Sequence, residues 1–146
     1  MSRTNAAEND YLLMMFNNDT WAAIGDATGL VGSTVDGSFH ISLHTSDPGE
    51  AGNQETNEAT FGAYGRVAVA RTTGGFTVSG ANASNAAEIG FTEATSGSET
   101  ITHVGIGTDT SGTGNLIWSG ALTTSRAVSS GITLAFAIGE LDINAD

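Results

Sequence analysis

The chain has 146 residues, and 16 acidic residues stand against four arginines and no lysine, for a formal net charge of -12. Binding of DNA or RNA requires a basic patch that displaces counterions from phosphates, so this charge balance predicts no nucleic-acid partner, and repulsion likewise disfavours an anionic membrane surface. Cysteine is absent, which excludes disulfide frameworks, thiol catalysis and cysteine-ligated zinc.

The first predicted element is a short helix over residues 5–17, capped by Asn5 with Glu8 in capping-box spacing. Apolar side chains at residues 11–16 would cover most of its circumference, so it needs partners on more than one side. We expect it either to plug its own barrel or to act as an N-terminal arm, residues 1–25, that docks on a neighbouring subunit. The candidate contact residues of this arm are Tyr11, Leu12, Met15, Phe16 and Trp21. A further helical turn at residues 19–24 would bury Trp21 and Ile24.

From residue 26 onward the chain is a succession of short strand patterns. Phe39, Ile41 and Leu43 alternate with polar residues, which is typical of a strand with one buried face. Further candidates lie near 66–71, 76–79, 87–91, 100–106, 115–119, 121–124, 131–137 and 140–143. Many short strands without alternating helices predict an all-β domain over residues 26–146, an antiparallel sandwich or barrel. This pattern alone fits a jelly roll or an immunoglobulin-like sandwich.

A long polar connection separates the first two strands. Its acidic residues are Asp47, Glu50, Glu55 and Glu58, and residues 47–58 are called the acidic loop. Long loops inside a compact domain are more often functional than idle, so we predict that the acidic loop is a solvated contact element. Arg66 and Arg71 flank the second strand, and each is expected to meet several carboxylates, either within the chain or across an interface.

No residue pattern indicates a catalytic, cofactor or metal site. His40 and His44 are four residues apart, which on a strand is about 13 Å and too far for one zinc ion, so we predict a structural role. The stretch GIGTDTSGTG, residues 105–114, lacks the spacing of a dinucleotide loop and the lysine of a phosphate loop, and we interpret it as a hairpin connection. We therefore expect no enzyme activity and no cofactor.

The stretches LHTSDPGEAG, TNEATFGAYGRVAVAR, GGFTVSG, SNAAEIGFTEATSGSETITHVGIGT and LIWSGALTTSRAVSSGITLAFAIGELDI follow one another within residues 39–143. Together they resemble a family of small tailed-bacteriophage virion proteins. Members of that family are often labelled tail-fibre proteins, and they look like the jelly-roll cement proteins that decorate phage capsids. The resemblance favours the jelly-roll-like β-sandwich, and it implies no catalytic residues.

The resemblance and the acidic charge lead to one functional expectation. We expect a capsid cement or decoration protein that is made in the host cytoplasm and lies on the outer capsid surface, away from the packaged genome. It would bind the major capsid protein and itself, as a homodimer or homotrimer, and stabilise the shell by mass action. The alternative is a receptor- or glycan-binding module of a tail fibre, although the chain has no internal repeat to elongate a fibre shaft.

Overall fold

A computed structural model describes residues 2–145, which separate into two compact units. The first unit contains the described residues up to Ser38, Val69–Ile89 and the described residues from Phe136 onward, and the second contains Phe39–Ala68 and Gly90–Ala135. The elements in chain order are α1 (Asn5–Asn17), β1 (Ser38–His44), β2 (Val67–Ala70), β3 (Phe76–Ser79), β4 (Asn82–Asn85), β5 (Ile89–Gly90), β6 (Ser98–Gly107), β7 (Leu116–Ser129), β8 (Ala135–Phe136) and β9 (Asp142–Asn144).

The strands form sheets of four, three and two members. Their orders are β2-β1-β6-β7, β3-β4-β9 and β5-β8, and the β1·β6, β6·β7, β3·β4 and β4·β9 ladders are antiparallel. This confirms the predicted fold class, an antiparallel β protein of the sandwich type with a short N-terminal helix. No sheet of the described residues closes into a barrel, so α1 does not plug one. The predicted domain boundary at residue 25 stays a prediction.

In the first unit, α1 packs on β3. Its N-cap is Thr4 and not Asn5, because Thr4 Oγ1 accepts a hydrogen bond from Ala7 N at 3.4 Å. Phe16 is fully buried and its ring centroid lies 4.8 Å from that of Phe76 in β3. A helix of 13 residues is marginal alone in water, so this aromatic contact stabilises it.

The helix ends at Asn18, and the segment after it is a loop. Asn18 has a left-handed backbone with φ 59°, and its N–H donates to Leu13 O. The predicted helical turn at residues 19–24 is wrong: Trp21 and Leu30 instead exchange two backbone hydrogen bonds of 2.9 Å each. Ile24, predicted to be buried, is 41% exposed.

Most predicted strands exist, but β4 was missed because its sequence, NASN, has no apolar alternation. Asn85 of β4 is nevertheless almost fully buried, and its side chain donates to Ala137 O at 2.8 Å and accepts from Leu141 N at 2.9 Å. The two strands predicted at 115–119 and 121–124 are one long strand, β7, and the one predicted at 131–137 shortens to β8.

The strand β1 lies between β2 and β6 in the four-stranded sheet. Its residues from Ile41 to His44 are all buried, so side chains on both faces of this strand are covered. Tyr64 stacks on Phe91 with ring centroids 6.3 Å apart, and this pair joins the connection after β1 to the core. Within the described chain no helix has the length and apolar character needed to cross a bilayer.

Candidate functional site

The acidic loop is folded back onto its own unit. Next to it, Thr45 N donates to Asn57 O at 2.9 Å and Ala59 N donates to Leu43 O at 2.8 Å, so its two ends are held together. Farther out, Gln54 N donates to Thr113 O at 2.9 Å in the connection between β6 and β7. Backbone bonds therefore hold this loop at both its base and its middle.

Gln54 is the anchor in the middle of the acidic loop. Its side chain is fully buried; its Oε1 accepts from Asp109 N at 2.9 Å and its Nε2 donates to Asp109 O at 3.4 Å. Gly107 and Gly114 make room for it, since a Cβ at either position would lie 2.1 Å from a Gln54 side-chain atom. The glycine-rich stretch is thus the hairpin connection that the sequence predicted. The space next to Gly107 and Gly114 is filled by the Gln54 side chain.

Glu58, at the end of the acidic loop, holds a buried ion pair. One carboxylate oxygen, Oε1, accepts from Arg66 Nε at 2.7 Å and from Tyr64 Oη at 2.8 Å, and the other, Oε2, accepts from Arg66 Nη2 at 2.7 Å. The two charged side chains are only 2% and 14% exposed. The hydrogen bond to Glu58 raises the pKa of Arg66, and burial raises the pKa of the Tyr64 phenol.

Arg66 reaches beyond this carboxylate to the next connection. It donates from Nη1 to Asp109 O at 3.0 Å and from Nη2 to Gly112 O at 2.7 Å. A guanidinium group offers five donors in a planar fork, and here four of these bonds lie inside the unit. The sequence left open an internal or an intersubunit contact for Arg66, and the structure uses it internally.

Ser42 and His44 form a buried polar pair on β1. Ser42 Oγ and His44 Nε2 are 2.9 Å apart, and His44 Nδ1 lies 2.9 Å from Thr56 O of the acidic loop. Both side chains are fully buried, and burial lowers the pKa of His44. The pair has the spacing of a nucleophile and a base, but a substrate has no access to it. Its visible role is to fasten the loop to β1.

The remaining carboxylates of the acidic loop face solvent. Asp47, Glu50 and Glu55 are exposed, whereas Glu58 is not. Asp47 Oδ1 accepts from Gly49 N at 2.8 Å, so even this exposed side chain is locally ordered. The result is a fixed backbone that presents three negative charges. Among residues 2–145, no cluster of three histidine, aspartate or glutamate side chains has an arrangement that could hold a metal ion.

The candidate contact residues of the N-terminal arm fall into two groups. Leu12 and Phe16 are fully buried in the first unit, whereas Tyr11, Met15 and Trp21 are half-buried. A contact of Leu12 or Phe16 with another protein would require α1 to leave β3. The role of this set as an interface stays a prediction.

Arg71 lies at the C-terminal end of α1. Its Nε donates to Met15 O at 2.6 Å and its Nη2 donates to Met14 O at 2.7 Å. Both acceptors are helix carbonyls, which carry the negative end of the helix dipole. The guanidinium therefore closes a helix end, a role that sequence spacing could not reveal.

Sequence reasoning also missed an exposed apolar segment after α1. Leu30 is 42% exposed, Val31 60% and Val35 77%. These residues lie in the turn-rich stretch before β1, where no regular periodicity marks a face. These three exposed aliphatic side chains lie within six positions of the chain, and together they are called the exposed patch.

A family model described as Podophage GP4 fiber I protein gp80 matches residues 3–144. The match runs from before α1 to the end of β9, so it includes the acidic loop, both arginines discussed above and every strand. No curated protein matches the chain.

Proposed function

Because the chain belongs to the family of the podophage GP4 fiber I protein gp80 and is thus a phage structural protein and virion component, we propose that it is part of the tail-fibre apparatus on the outside of the particle. The observation that carries this proposal is the extent of the family match, residues 3–144, which takes in the whole described fold. Because the family description names a fibre protein, we favour the fibre role over the capsid cement role that we expected from the sequence.

The protein works by binding other virion proteins and itself, and not by transforming a substrate. Three exposed carboxylates at Asp47, Glu50 and Glu55 sit on a loop whose backbone is already held by Gln54 and His44. A pre-ordered loop loses little conformational entropy on binding, so its charges add to affinity and to the rate of encounter. The acidic loop therefore suits a partner with a basic surface.

A second contact element lies after α1. The exposed patch of Leu30, Val31 and Val35 offers apolar area that a partner removes from water. Trp21 borders it through its backbone pairing with Leu30. This patch suits a partner with an apolar surface, and it extends the N-terminal arm residues predicted from the sequence.

A capsid cement protein on the outer shell is the second candidate. The observation that favours it is the confirmed antiparallel sandwich class together with the absence of any elongating repeat in the sequence, which fits a compact module better than a shaft. In that case the major capsid protein would be the partner of the same two contact elements. The net charge of -12 disfavours contact with packaged DNA, so in either role we place the protein on the outside of the particle.

The copy number in purified virions separates the two roles. Quantitative mass spectrometry gives the ratio of this protein to the portal and to the major capsid protein. A fibre component is expected in a small multiple of the tail symmetry. A ratio near that of the major capsid protein would overturn the fibre role in favour of cement, and absence from the particle would overturn both.

A further inference from the structure

The strand β7 forms an open edge of the four-stranded sheet. The strand order ends at β7, whose described pairing is with β6. It is 14 residues long, and most of its residues are exposed. The outer edge of such a strand presents unpaired backbone N–H and C=O groups, which can pair with another strand.

A bulge divides β7 into two arms. Leu116 pairs with Gly107 and Ala121 pairs with His103, whereas Arg126 pairs with Ile101. Residues 122–125 therefore stand opposite the single residue Thr102. We call residues 116–121 the first arm of β7. Its exposed members are Ile117, Ser119, Gly120 and Ala121, whereas Leu116 and Trp118 are half-buried.

The charge distribution identifies which partner the first arm can accept. The chain has 16 acidic residues in 146, yet none lies between Asp109 and Glu140, and the one charged residue of β7 is Arg126, in the second arm. Two copies of a chain with a charge of -12 repel each other over most of their surfaces. Along the first arm they meet without any ionised side chain.

Charged side chains and proline, which often protect an exposed edge, are missing from the first arm, although a register shift between Ile106 and Gly107 leaves Ile117 as a bulge. It contains no lysine, no proline and no acidic residue, and Ile117 is 39% exposed at the edge. Proteins that avoid edge pairing place such residues on their edge strands. The opposite edge of the same sheet, β2, has only four residues and offers fewer backbone hydrogen bonds.

We propose that two copies of this chain pair antiparallel through the first arm of β7, about a two-fold axis, so that the sheet continues from one copy into the other. A strand that pairs with its own copy makes an isologous contact, which closes as a dimer. This inference rests on the proposed self-association of a virion protein, and it supplies the surface and the stoichiometry. It selects the homodimer over the homotrimer.

The test is sedimentation velocity of the full chain over a range of concentrations. Ser119→Asp places two carboxylates close together across the axis, where like charges oppose pairing. The control is Ser46→Asp, the same substitution at an exposed residue after β1. We expect a dimer for the unchanged chain and for the control, and a dissociation constant at least about tenfold higher for Ser119→Asp, with partial recovery at high salt.

Hydrogen exchange of the unchanged chain gives a second measurement that does not depend on a variant's folding. Amides of residues 116–121 should exchange more slowly as the chain dimerises, whereas those of the acidic loop should not change. An oligomer that is insensitive to Ser119→Asp and shows no protection at 116–121 overturns the β7 interface but not self-association. A chain that is monomeric at every concentration overturns both the β7 interface and self-association. If residues 116–121 become protected only when another virion protein is added, the partner of the first arm is that protein and not a second copy of this chain. None of these outcomes bears on the virion copy number, which tests the fibre role separately.

Discussion

Glu58 and Arg66 face each other in a paired geometry: Arg66 Nε and Nη2 each lie 2.7 Å from a different carboxylate oxygen of Glu58. Parallel charge-assisted bonds of this kind are stronger and more directional than a single bond. Because Glu58 ends the acidic loop and Arg66 directly precedes β2, the pair fixes the loop to the sheet. The exposed charges of the loop depend on this buried pair for their position.

Replacing Glu58 by alanine should lower the free energy of unfolding by about 3 kcal/mol, because it leaves the Arg66 charge buried without its carboxylate. Urea unfolding followed by tryptophan fluorescence measures this change. Glu55→Ala, at an exposed position of the same loop, should change the free energy of unfolding by less than about 0.5 kcal/mol. Equal effects of the two substitutions would contradict the assigned role of the pair.

Gly105→Ala should destabilise the protein by about 2 kcal/mol, in the range of overpacked core substitutions. The new Cβ would lie 2.6 Å from both His44 Nε2 and Ser42 Oγ, so the polar pair must shift. Gly65→Ala is the matched control, because a Cβ there meets no atom within 4 Å. Thermal unfolding of both variants checks the prediction, and a neutral Gly105→Ala would show that the Ser42–His44 pair does not fill this space.

Arg71→Met should weaken the C-terminal end of α1. It removes the charged donors to Met14 O and Met15 O, and hydrogen bonds to a charged group contribute about 1.5–3 kcal/mol. Hydrogen exchange should become faster in α1 and stay unchanged in β6. Arg126→Met, at an exposed position, is the control for the loss of one positive charge. If both variants behave alike, Arg71 contributes only its charge and not its contact with the helix.

The stability of the protein should fall as the pH drops below the ordinary histidine pKa of 6.5, because burial lowers the pKa of His44 in the folded chain. Between the lowered and the ordinary value, the unfolded chain binds more protons, so the free energy of unfolding rises with pH in that window. Each such group contributes at most about 1.4 kcal/mol per pH unit.

His40, whose pKa burial also lowers, acts with the same sign. Glu58, Arg66 and His103 act on His44 through their charges, and burial remains the largest influence. His44→Gln should therefore flatten the slope of unfolding free energy against pH without abolishing it. An unchanged slope just below pH 6.5 would show that His44 is not protonated on unfolding there.

Neutralising the acidic loop should weaken binding to a basic partner without unfolding the chain. The variant is Asp47→Asn with Glu50→Gln and Glu55→Gln, all at exposed positions. The matched control is Asp19→Asn with Glu88→Gln and Glu93→Gln, which removes the same charges at exposed positions elsewhere. Capture of virion proteins from disrupted particles at rising salt compares the two. Equal capture by both variants would contradict a contact role for the acidic loop.

The sequence predicted the fold class and most strands because period-two alternation, as in Phe39, Ile41 and Leu43, reports directly on a buried face. It missed β4 because Asn85 is buried through side-chain hydrogen bonds, which leave no apolar pattern. It split β7 at Gly120, because a glycine interrupts the strand pattern of the sequence there.

The candidate site was predicted only in outline. Acidic residues between two strands marked a loop, but the residues that hold it, such as Gln54 and Ser42, are polar and carry no distinctive spacing. Arg66 and Arg71 were singled out because the chain has only four arginines and no lysine. The partners described above could not be inferred, because Glu58 lies 8 residues from Arg66 and Met15 lies 56 residues from Arg71, and no sequence pattern marks either contact.

Cryo-electron microscopy of the virion, with this chain labelled by a bound antibody fragment, tests the central claim most directly. We predict labels on the outside of the particle, at the tail and in a number that follows the symmetry of the tail. Labels spread over the whole shell would place the protein among cement proteins instead, and labels that appear only after the capsid is opened would contradict an external structural role altogether.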